Sequence, residues 1–369
     1  MSRTAEAVPP LEAADAHDLL VLTAALVAVP SVSRNEAELA DRVEHRLADR
    51  APGLALARIA NNVIVRTALG RERRVVLGGH LDTVPANGNE EPRIEGDVLH
   101  GLGSADMKGG LAVLLRLAEE LAAGASPRHD CTLVFYEAEE IAEEFNGLRH
   151  VFADQPDLLA GDFAVLLEPT GGHVEAGCQG TLHVRANFAG VRAHSARPWK
   201  GRYAIHAIAP VLARLAAHES DVVEVDGLSY RESLQVVRIE GGVANNVVPD
   251  GASIVVNRRF APRYSVDEAV AQVEALLDGA DAIEVLNASP AAPPNLGDPL
   301  VAEFVAASGL EVEPKLGWTD VARFASRGVP ALNFGPGDPS VAHMAGEHVT
   351  RASIDHTYAT LARFLGVGA

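Results

Sequence analysis

The sequence predicts an α/β protein: a mixed sheet flanked by helices, together with an inserted α+β domain. In roughly the first 180 residues, apolar β-branched runs alternate with helical periodicity, which is typical of a layered α/β domain. From about residue 180 alternating strand-like runs dominate, which indicates an α+β module. A proline-rich linker at residues 288–299 then precedes a last segment that would complete the first domain. The predicted domains are therefore 1–179 with 295–369, and 180–294.

The individual elements follow from the same periodicities. Helices are predicted near residues 17–29, 35–49, 108–123, 146–152, 202–218, 266–277, 300–307 and 353–365. Buried strands are predicted for "NNVIVRTAL", "RRVVLGGH", "CTLVFYE" and "DFAVLLEP", and further strands for "TLHVRANFAG", "SLQVVRIEGG", "ASIVVNRRF" and "PALNFG". In "SVSRNE", Ser33 is expected to cap the second helix. Glu36, three residues later, would complete a capping box by accepting a hydrogen bond from the Ser33 amide.

Composition and charge restrict the class of partner. The 369 residues carry a net charge of −19, which argues against nucleic acid or an anionic membrane as a ligand. The apolar run at residues 19–29 is too short to span a bilayer. The only cysteines, Cys131 and Cys178, suggest no disulfide framework, so a reducing, cytoplasmic location is expected.

The stretch "GGHLDTVP" places two polar residues at the end of an apolar strand. Residues i and i+2 of a strand face the same side, so His80 and Asp82 are expected to face one pocket. The carboxyl ends of strands are where open α/β sheets bind their ligands.

Further acidic and imidazole groups follow other predicted elements, and each has a plain structural alternative. Asp106 in "GLGSADMKGG" could cap the helix that begins near residue 108. Glu139 and Glu140 in "YEAEE" could lie in a solvated loop. Glu168 in "LLEPT" could be a strand-end charge, and His343 in "VAHMAGEHV" an ordinary loop histidine.

Taken together, these groups place two imidazoles and several carboxylates at one sheet edge, which requires a cation among them. Nitrogen and oxygen ligands without thiolates suit zinc, with cobalt or manganese as substitutes. One ion would occupy three or four of the groups. Five ligands and a spare glutamate fit better with two ions about 3.5–4 Å apart that share a carboxylate.

The motifs "GGHLDTVP", "GLGSADMKGG", "EAEE" and "LLEPT" resemble those of the di-zinc aminoacyl hydrolases, a family that includes succinyl-diaminopimelate desuccinylase, acetylornithine deacetylase, aminoacylase and glutamate carboxypeptidase. The resemblance runs in order from about residue 75 to 350. It implies a di-zinc peptidase-like catalytic domain in which His80 and Glu168 bind one zinc ion. Glu140 and His343 would bind the other, and Asp106 would bridge the two.

The resemblance also implies roles around the metals. Asp82 would orient His80 through its second ring nitrogen. Glu139 would act as the general base on a small-molecule substrate. The inserted domain would be a lid that forms a homodimer, and His194 in "GVRAHSARP" would reach the neighbouring subunit's site to stabilise an oxyanion. His194 could instead be a loop histidine.

For the substrate, the resemblance implies four contacts: Asn246, Arg259, Thr319 and Arg323. The expected reaction is release of succinate from N-succinyl-LL-2,6-diaminopimelate. The alternative is hydrolysis of another N-acyl amino acid or a dipeptide, such as N-acetylornithine. Departures from the commoner family pattern at Ile141, Gln179 and Gly346, and the acidic stretch "AEEFNGL", bear on substrate contacts rather than on the metal ligands.

Overall fold

A computed structural model describes residues 8–368, so residues 1–7 and 369 of the predicted catalytic domain lie outside the described residues. The chain divides into two compact units. The first comprises the described residues of Met1–Ala176, Asn295–Glu313 and Arg323–Ala369, and the second comprises Gly177–Pro294 and Pro314–Ala322. The segment Pro314–Ala322 groups with the second unit, where the Lys315 carbonyl accepts from the Gln179 amide at 3.2 Å.

The helices of the described residues match the predicted ones to within two residues, apart from α8, which was not predicted. They are α1 (Leu19–Val27), α2 (Ala37–Arg50), α3 (Gly109–Ala122), α4 (Gly147–Asp154), α5 (Ala204–Ala216), α6 (Val266–Leu276), α7 (Pro299–Ser308), α8 (Val321–Ala325) and α9 (Arg351–Leu365).

The strands include all of the predicted runs and several others that the sequence did not indicate. They are β1 (Ala55–Ile59), β2 (Asn62–Arg66), β3 (Arg74–His80), β4 (Arg93–Glu95), β5 (Val98–His100), β6 (Asp130–Tyr136), β7 (Phe163–Pro169), β8 (Val174–Ala176), β9 (Gly180–Ala189), β10 (Ala193–His194), β11 (Val222–Val225), β12 (Leu228–Arg231), β13 (Ser233–Gly241), β14 (Val247–Val248), β15 (Gly251–Phe260), β16 (Ala282–Ser289), β17 (Val312–Pro314), β18 (Ala331–Gly335) and β19 (His348–Thr350).

Side-chain caps fix several helix starts. Thr350 accepts from the Ser353 amide at α9, and Ser265 forms a capping box with Glu268 at α6. The box predicted at α2 is wrong. Glu36 itself is the N-cap residue without a side-chain cap bond, and the Ser33 hydroxyl instead donates to Asp82 Oδ2 at 2.7 Å.

The main sheet lies in the first unit and has the order β1-β2-β6-β3-β7-β18-β8-β17. Strands β6, β3, β7 and β18 are parallel neighbours, whereas β1, β2 and β8 pair in antiparallel fashion. The fold is therefore the predicted mixed sheet. Because parallel strands end at the same edge, the residues that follow β3 and β6 and the end of β7 converge there.

The paired glycines before His80 allow close packing on both faces of β3. A Cβ atom at Gly78 would lie 2.9 Å from Leu166 and Val134. One at Gly79 would lie 2.8 Å from Leu111 and Met107. Larger residues at these positions would clash with the neighbouring side chains. The glycines therefore allow β6, β7, α3 and the turn before α3 to approach the strand that ends in His80.

The second unit contains an antiparallel four-stranded sheet of order β13-β15-β9-β16. Residues of α5 and α6 pack with inward-facing side chains of β9 and β15 in one apolar core. Two small antiparallel pairs, β10-β14 and β11-β12, extend the unit. This is the α+β texture that the sequence predicts.

Candidate metal centre

Three neighbouring strands of the main sheet deliver the predicted ligands. His80 is the last residue of β3, Glu168 is the last residue but one of β7, and Glu139 and Glu140 follow β6. Asp106 comes from the turn that precedes α3. His343 lies in the loop after β18, where its φ is 63°. The structure thus brings the five predicted metal ligands together.

Asp106 does not cap α3. The helix begins at Gly109, and its N-cap residue is Lys108, which makes no side-chain cap bond. Asp106 lies instead in a kinked turn, Ser104–Lys108, where its own backbone is not helical (φ −120°, ψ 90°) and the Asp106–Met107 peptide bond is cis. This turn directs the carboxylate of Asp106 toward the two histidines.

The two oxygens of Asp106 face different imidazoles. Oδ1 lies 3.1 Å from His80 Nε2, and Oδ2 lies 3.5 Å from His343 Nε2. Glu168 Oε2 lies 4.0 Å from His80 Nε2, and Glu140 Oε1 lies 2.9 Å from His343 Nε2. The donors therefore form two groups, His80 with Glu168 and His343 with Glu140, and Asp106 lies between them.

This donor set fits two divalent cations. Ligand atoms of His80, Asp106 and Glu140 all lie within 4.8 Å of one another. Each group offers one imidazole nitrogen and one carboxylate oxygen, and Asp106 offers one oxygen to each, which is the arrangement of a shared carboxylate. Neither cysteine lies among the donors, so the ligands are those that suit zinc, cobalt or manganese.

The carboxylates make the site strongly electronegative. Burial lowers the pKa of His80, but its hydrogen bonds with Asp106 and Asp82 raise that pKa well above its ordinary value. Hydrogen bonds with Asp106 and Glu140 raise the pKa of His343 to about 10. Burial raises the pKa of Asp106, yet the two histidines hold it far below its ordinary range. Positive charge is favoured at this position.

Asp82 has two relationships to the site. The ring nitrogen Nδ1 of His80 lies 3.0 Å from the Asp82 backbone carbonyl and 3.4 Å from Asp82 Oδ1. The carboxylate also accepts from the backbone amides of Glu139 and Glu140, both at 3.0 Å. Both the carbonyl and the carboxylate of Asp82 therefore face the second ring nitrogen of His80. The carboxylate fixes the turn that carries the two glutamates.

Sequence reasoning missed Glu347. Its side chain is buried and accepts from the backbone amides of Gly103, Ala105 and Asp106 at 3.0–3.1 Å. It therefore holds the turn that presents Asp106. Its position four residues after His343 was the only available signal, because the bonds join segments more than 240 residues apart.

In the second unit, two predicted residues lie in adjacent segments. His194 in β10 pairs with Val247 in β14, and the Asn246 carbonyl accepts from the Ser195 amide at 2.9 Å. Both side chains are exposed. His194 Nδ1 accepts from the Ala196 amide at 3.0 Å.

The remaining predicted substrate contacts are more buried. Arg259 on β15 is half-buried, and burial lowers its pKa. Thr319, also in the second unit, is buried, with its carbonyl 3.7 Å from the Cys178 sulfur. Arg323, in the first unit, donates from Nη1 to Glu143 Oε1 at 3.2 Å. A substrate carboxylate at Arg323 would have to share the guanidinium with Glu143.

Comparison with known proteins identifies the family. Residues 76–366 match the model of peptidase family M20/M25/M40. The chain belongs to this family. It is 50% identical over 350 residues to a Mycobacterium tuberculosis protein provisionally named succinyl-diaminopimelate desuccinylase DapE, with 95% of this chain and 98% of the relative covered. It is 46% identical to the succinyl-diaminopimelate desuccinylase of Corynebacterium glutamicum, with 94% and 96% covered.

Solved structures share the fold at low identity. The M20-family chain superposes on aminopeptidase PepT from Bacillus cereus with a TM-score of 0.78 at 20% identity, covering 95% of this chain and 98% of that one. For the Bacillus subtilis YXEP protein, described as a dinuclear metal binding peptidase from the M20 family, the TM-score is 0.69 at 15% identity, with 95% and 97% covered. The predicted family and fold class are confirmed.

Among residues 8–368, no helix is long and apolar enough to cross a membrane.

Proposed function

We propose that this M20-family protein is a di-zinc amide hydrolase that releases succinate from N-succinyl-LL-2,6-diaminopimelate, a step of diaminopimelate and lysine biosynthesis. The observation that carries the proposal is the Asp106 carboxylate, whose two oxygens face His80 and His343 separately. The substrate is supported by relatives that bear the desuccinylase name at 46–50% identity over nearly the whole chain.

His80 and Glu168 would hold one zinc ion, Glu140 and His343 the other, and Asp106 both. Bound zinc supplies a Lewis acid that polarises the amide carbonyl and favours deprotonation of water. Glu139 precedes a ligand, and the Asp82 carboxylate holds its backbone amide. Glu139 takes the proton from the attacking water and delivers it to the leaving amine. The C–O bond forms first and the carbonyl oxygen becomes an oxyanion; the C–N bond then breaks, which yields succinate and diaminopimelate.

The substrate carries carboxylates at both ends, and arginine and amide groups are suited to bind them. Asn246 and Arg259 of the second unit bind one end, and Thr319 and Arg323 bind the other. Arg323 donates from Nη1 to Glu143, so the substrate carboxylate shares this guanidinium with Glu143.

The protein acts as a homodimer formed through the second unit, residues 180–294 of the predicted lid. Strand β13 is an outer strand of the four-stranded sheet and exposes Val237 and Ile239 by 54% and 58%. Apolar side chains on an outer strand favour association with another chain. His194 of one subunit completes the site of the other and stabilises the oxyanion.

A cytoplasmic location is supported by Cys131 and Cys178, which are buried free thiols.

The experiment that tests the proposed function is metal analysis of the purified protein together with a side-by-side comparison of substrates. We expect two zinc equivalents per chain. We also expect a kcat/KM for N-succinyl-LL-2,6-diaminopimelate at least about a hundredfold above that for N-acetylornithine, because the latter lacks the succinyl carboxylate and leaves a buried charged donor unmatched. Equal or better turnover of N-acetylornithine would assign the protein to the alternative deacylase activity.

A further inference from the structure

The turn after β6 has an unusual set of supports. Each of its four successive backbone amides donates to a side-chain oxygen. Glu137 donates to Asn62 Oδ1 at 3.1 Å and Ala138 to Glu36 Oε1 at 3.1 Å. The next two amides, of residues 139 and 140, donate to Asp82 at 3.0 Å. A turn with every amide held by a side chain has little freedom to move.

Glu36 is a charged support that no catalytic role explains. It lies at the start of α2, is completely buried, and also accepts from the Arg34 amide at 2.9 Å. Its Oε2 has no hydrogen-bond partner among the described residues. Burying a carboxyl group is costly, and a capping role does not explain it because the side chain makes no cap bond to α2.

The amide that Glu36 holds belongs to a residue in a strained conformation. Ala138 has a φ of 58°, a region that residues with a Cβ atom seldom adopt. Ala138 directly precedes Glu139, so its backbone angles set the direction of the Glu139 side chain. A strained backbone conformation persists only where surrounding contacts stabilise it. The hydrogen bond from the Ala138 amide to Glu36 is such a contact.

We propose that Glu36 is a positioning residue for Glu139, acting through its hydrogen bond to the Ala138 amide. The proposal rests on the proposed role of Glu139 as general base. Glu36 does not touch the reacting atoms. It keeps the left-handed Ala138 in place, so that Glu139 points toward the metal ligands rather than away from them.

Three substitutions separate this role from a general effect on folding. Glu36→Leu removes the acceptor, and Glu36→Asp withdraws it by one methylene. Glu36→Gln keeps an oxygen at the same reach, and it resembles the neutral form that burial favours by raising the pKa of Glu36. The matched control is Asp130→Leu, because Asp130 at the opposite end of β6 is also buried and accepts from the Leu69 and Arg71 amides at 2.9 Å.

The measurements are kcat and KM per metal-loaded chain, and hydrogen exchange of the segment 137–140. For Glu36→Leu and Glu36→Asp we expect kcat to fall by about tenfold to a hundredfold, with KM within about threefold of the wild-type value, since misplacing a catalytic group by about 1 Å has this effect. Exchange in 137–140 should accelerate. Glu36→Gln should retain at least about a third of the wild-type kcat with unchanged exchange.

The control should lower the melting temperature and accelerate exchange near residues 67–73, with kcat per metal-loaded chain unchanged. The proposal is overturned if Glu36→Leu and Glu36→Asp keep the wild-type kcat and exchange, or if Glu36→Gln loses as much activity as they do. If Glu36→Leu does not fold, Glu36→Asp and Glu36→Gln decide the outcome. A wild-type protein that hydrolyses no N-succinyl substrate would refute the proposed function, whereas the exchange data would still decide whether Glu36 holds the turn.

Discussion

The candidate residues of the first unit and those of the second are held in different ways. In the first unit, His80 and Asp82 are almost completely buried, and the Asp82 carboxylate accepts from three donors. In the second unit, His194 and Asn246 are exposed, and the bonds that join their segments run through the backbone. His80 and Asp82 are thus fixed by their surroundings, whereas the exposed side chains of His194 and Asn246 can turn toward a ligand.

The difference matches what each set would have to do. Metal ligands and a general base must hold one geometry before the substrate arrives, and buried side-chain bonds provide this. Groups that bind a substrate or a partner subunit gain from adaptable side chains on a fixed backbone. Substitutions at the metal ligands or Glu139 should therefore act on metal content or kcat. Arg259→Ala should act mainly on KM, and His194→Ala should lower kcat in a way that subunit mixing can restore.

The largest expected effect is at Glu139. Glu139→Gln should lower kcat by about 10²–10⁴-fold, because the proton transfer is lost while the ligands remain. Metal analysis should still give two equivalents per chain, and KM should change little. Glu144→Gln, a substitution at an exposed glutamate of the same loop, would show what a nearby charge alone contributes. More than about a tenth of the wild-type rate in Glu139→Gln would contradict the general-base role.

The next effect concerns His194. His194→Ala should reduce kcat by about 10²–10³-fold, as expected for loss of one oxyanion donor, without loss of metal. If His194 acts across a dimer, mixing this variant with Glu139→Gln should restore up to about a quarter of the wild-type activity, since half of the dimers would contain one intact site. No recovery, despite subunit exchange measured by native mass spectrometry, would exclude the arrangement across subunits.

The smallest effect is expected at Arg259. Arg259→Ala should lower kcat/KM for the succinyl substrate by about tenfold to a hundredfold, mainly through KM, because a charge-assisted hydrogen bond to a carboxylate is lost. Arg185→Ala is the matched control: Arg185 lies on β9 of the same sheet and forms an exposed ion pair with Glu284 at 3.0 Å. If both variants have the same kcat/KM as the wild type, Arg259 does not bind the substrate.

Much of the first unit could be predicted because its signals are local. The apolar runs of β3, β6 and β7 are continuous, so each predicts a buried strand, and the polar residues at their ends predict a shared edge. In the second unit, β16 escaped prediction, since its run "AIEVLNAS" has five exposed residues and little alternation. Its place in the sheet comes from pairing with β9 rather than from its own pattern.

The supports of the site could not be predicted, and the reason is physical. Ser33, Glu36 and Glu347 bind groups distant in sequence, and the acceptors or donors are often backbone atoms that carry no residue-specific signal. "SVSRNE" has the spacing of a capping box, and local rules favour that structure. In the structure, Ser33 instead hydrogen-bonds with Asp82, and Glu36 accepts from the Ala138 amide. Sequence motifs identify candidate ligands, but the residues that orient them emerge only from the folded chain.

The bond between the Asp106 amide and Glu347 has a consequence for synthesis of the protein, because 241 residues separate the two partners. At typical elongation rates of about 5–20 residues per second, the ribosome needs roughly 12–50 s to produce the intervening chain. During that interval the nascent first unit carries Asp106, Glu140 and Glu168 without His343 or the carboxylate that holds the Asp106 turn. With the proposed ligands, the two cations would bind in their final arrangement only after translation has nearly finished, and a chain truncated before residue 343 would lack a ligand of one of them.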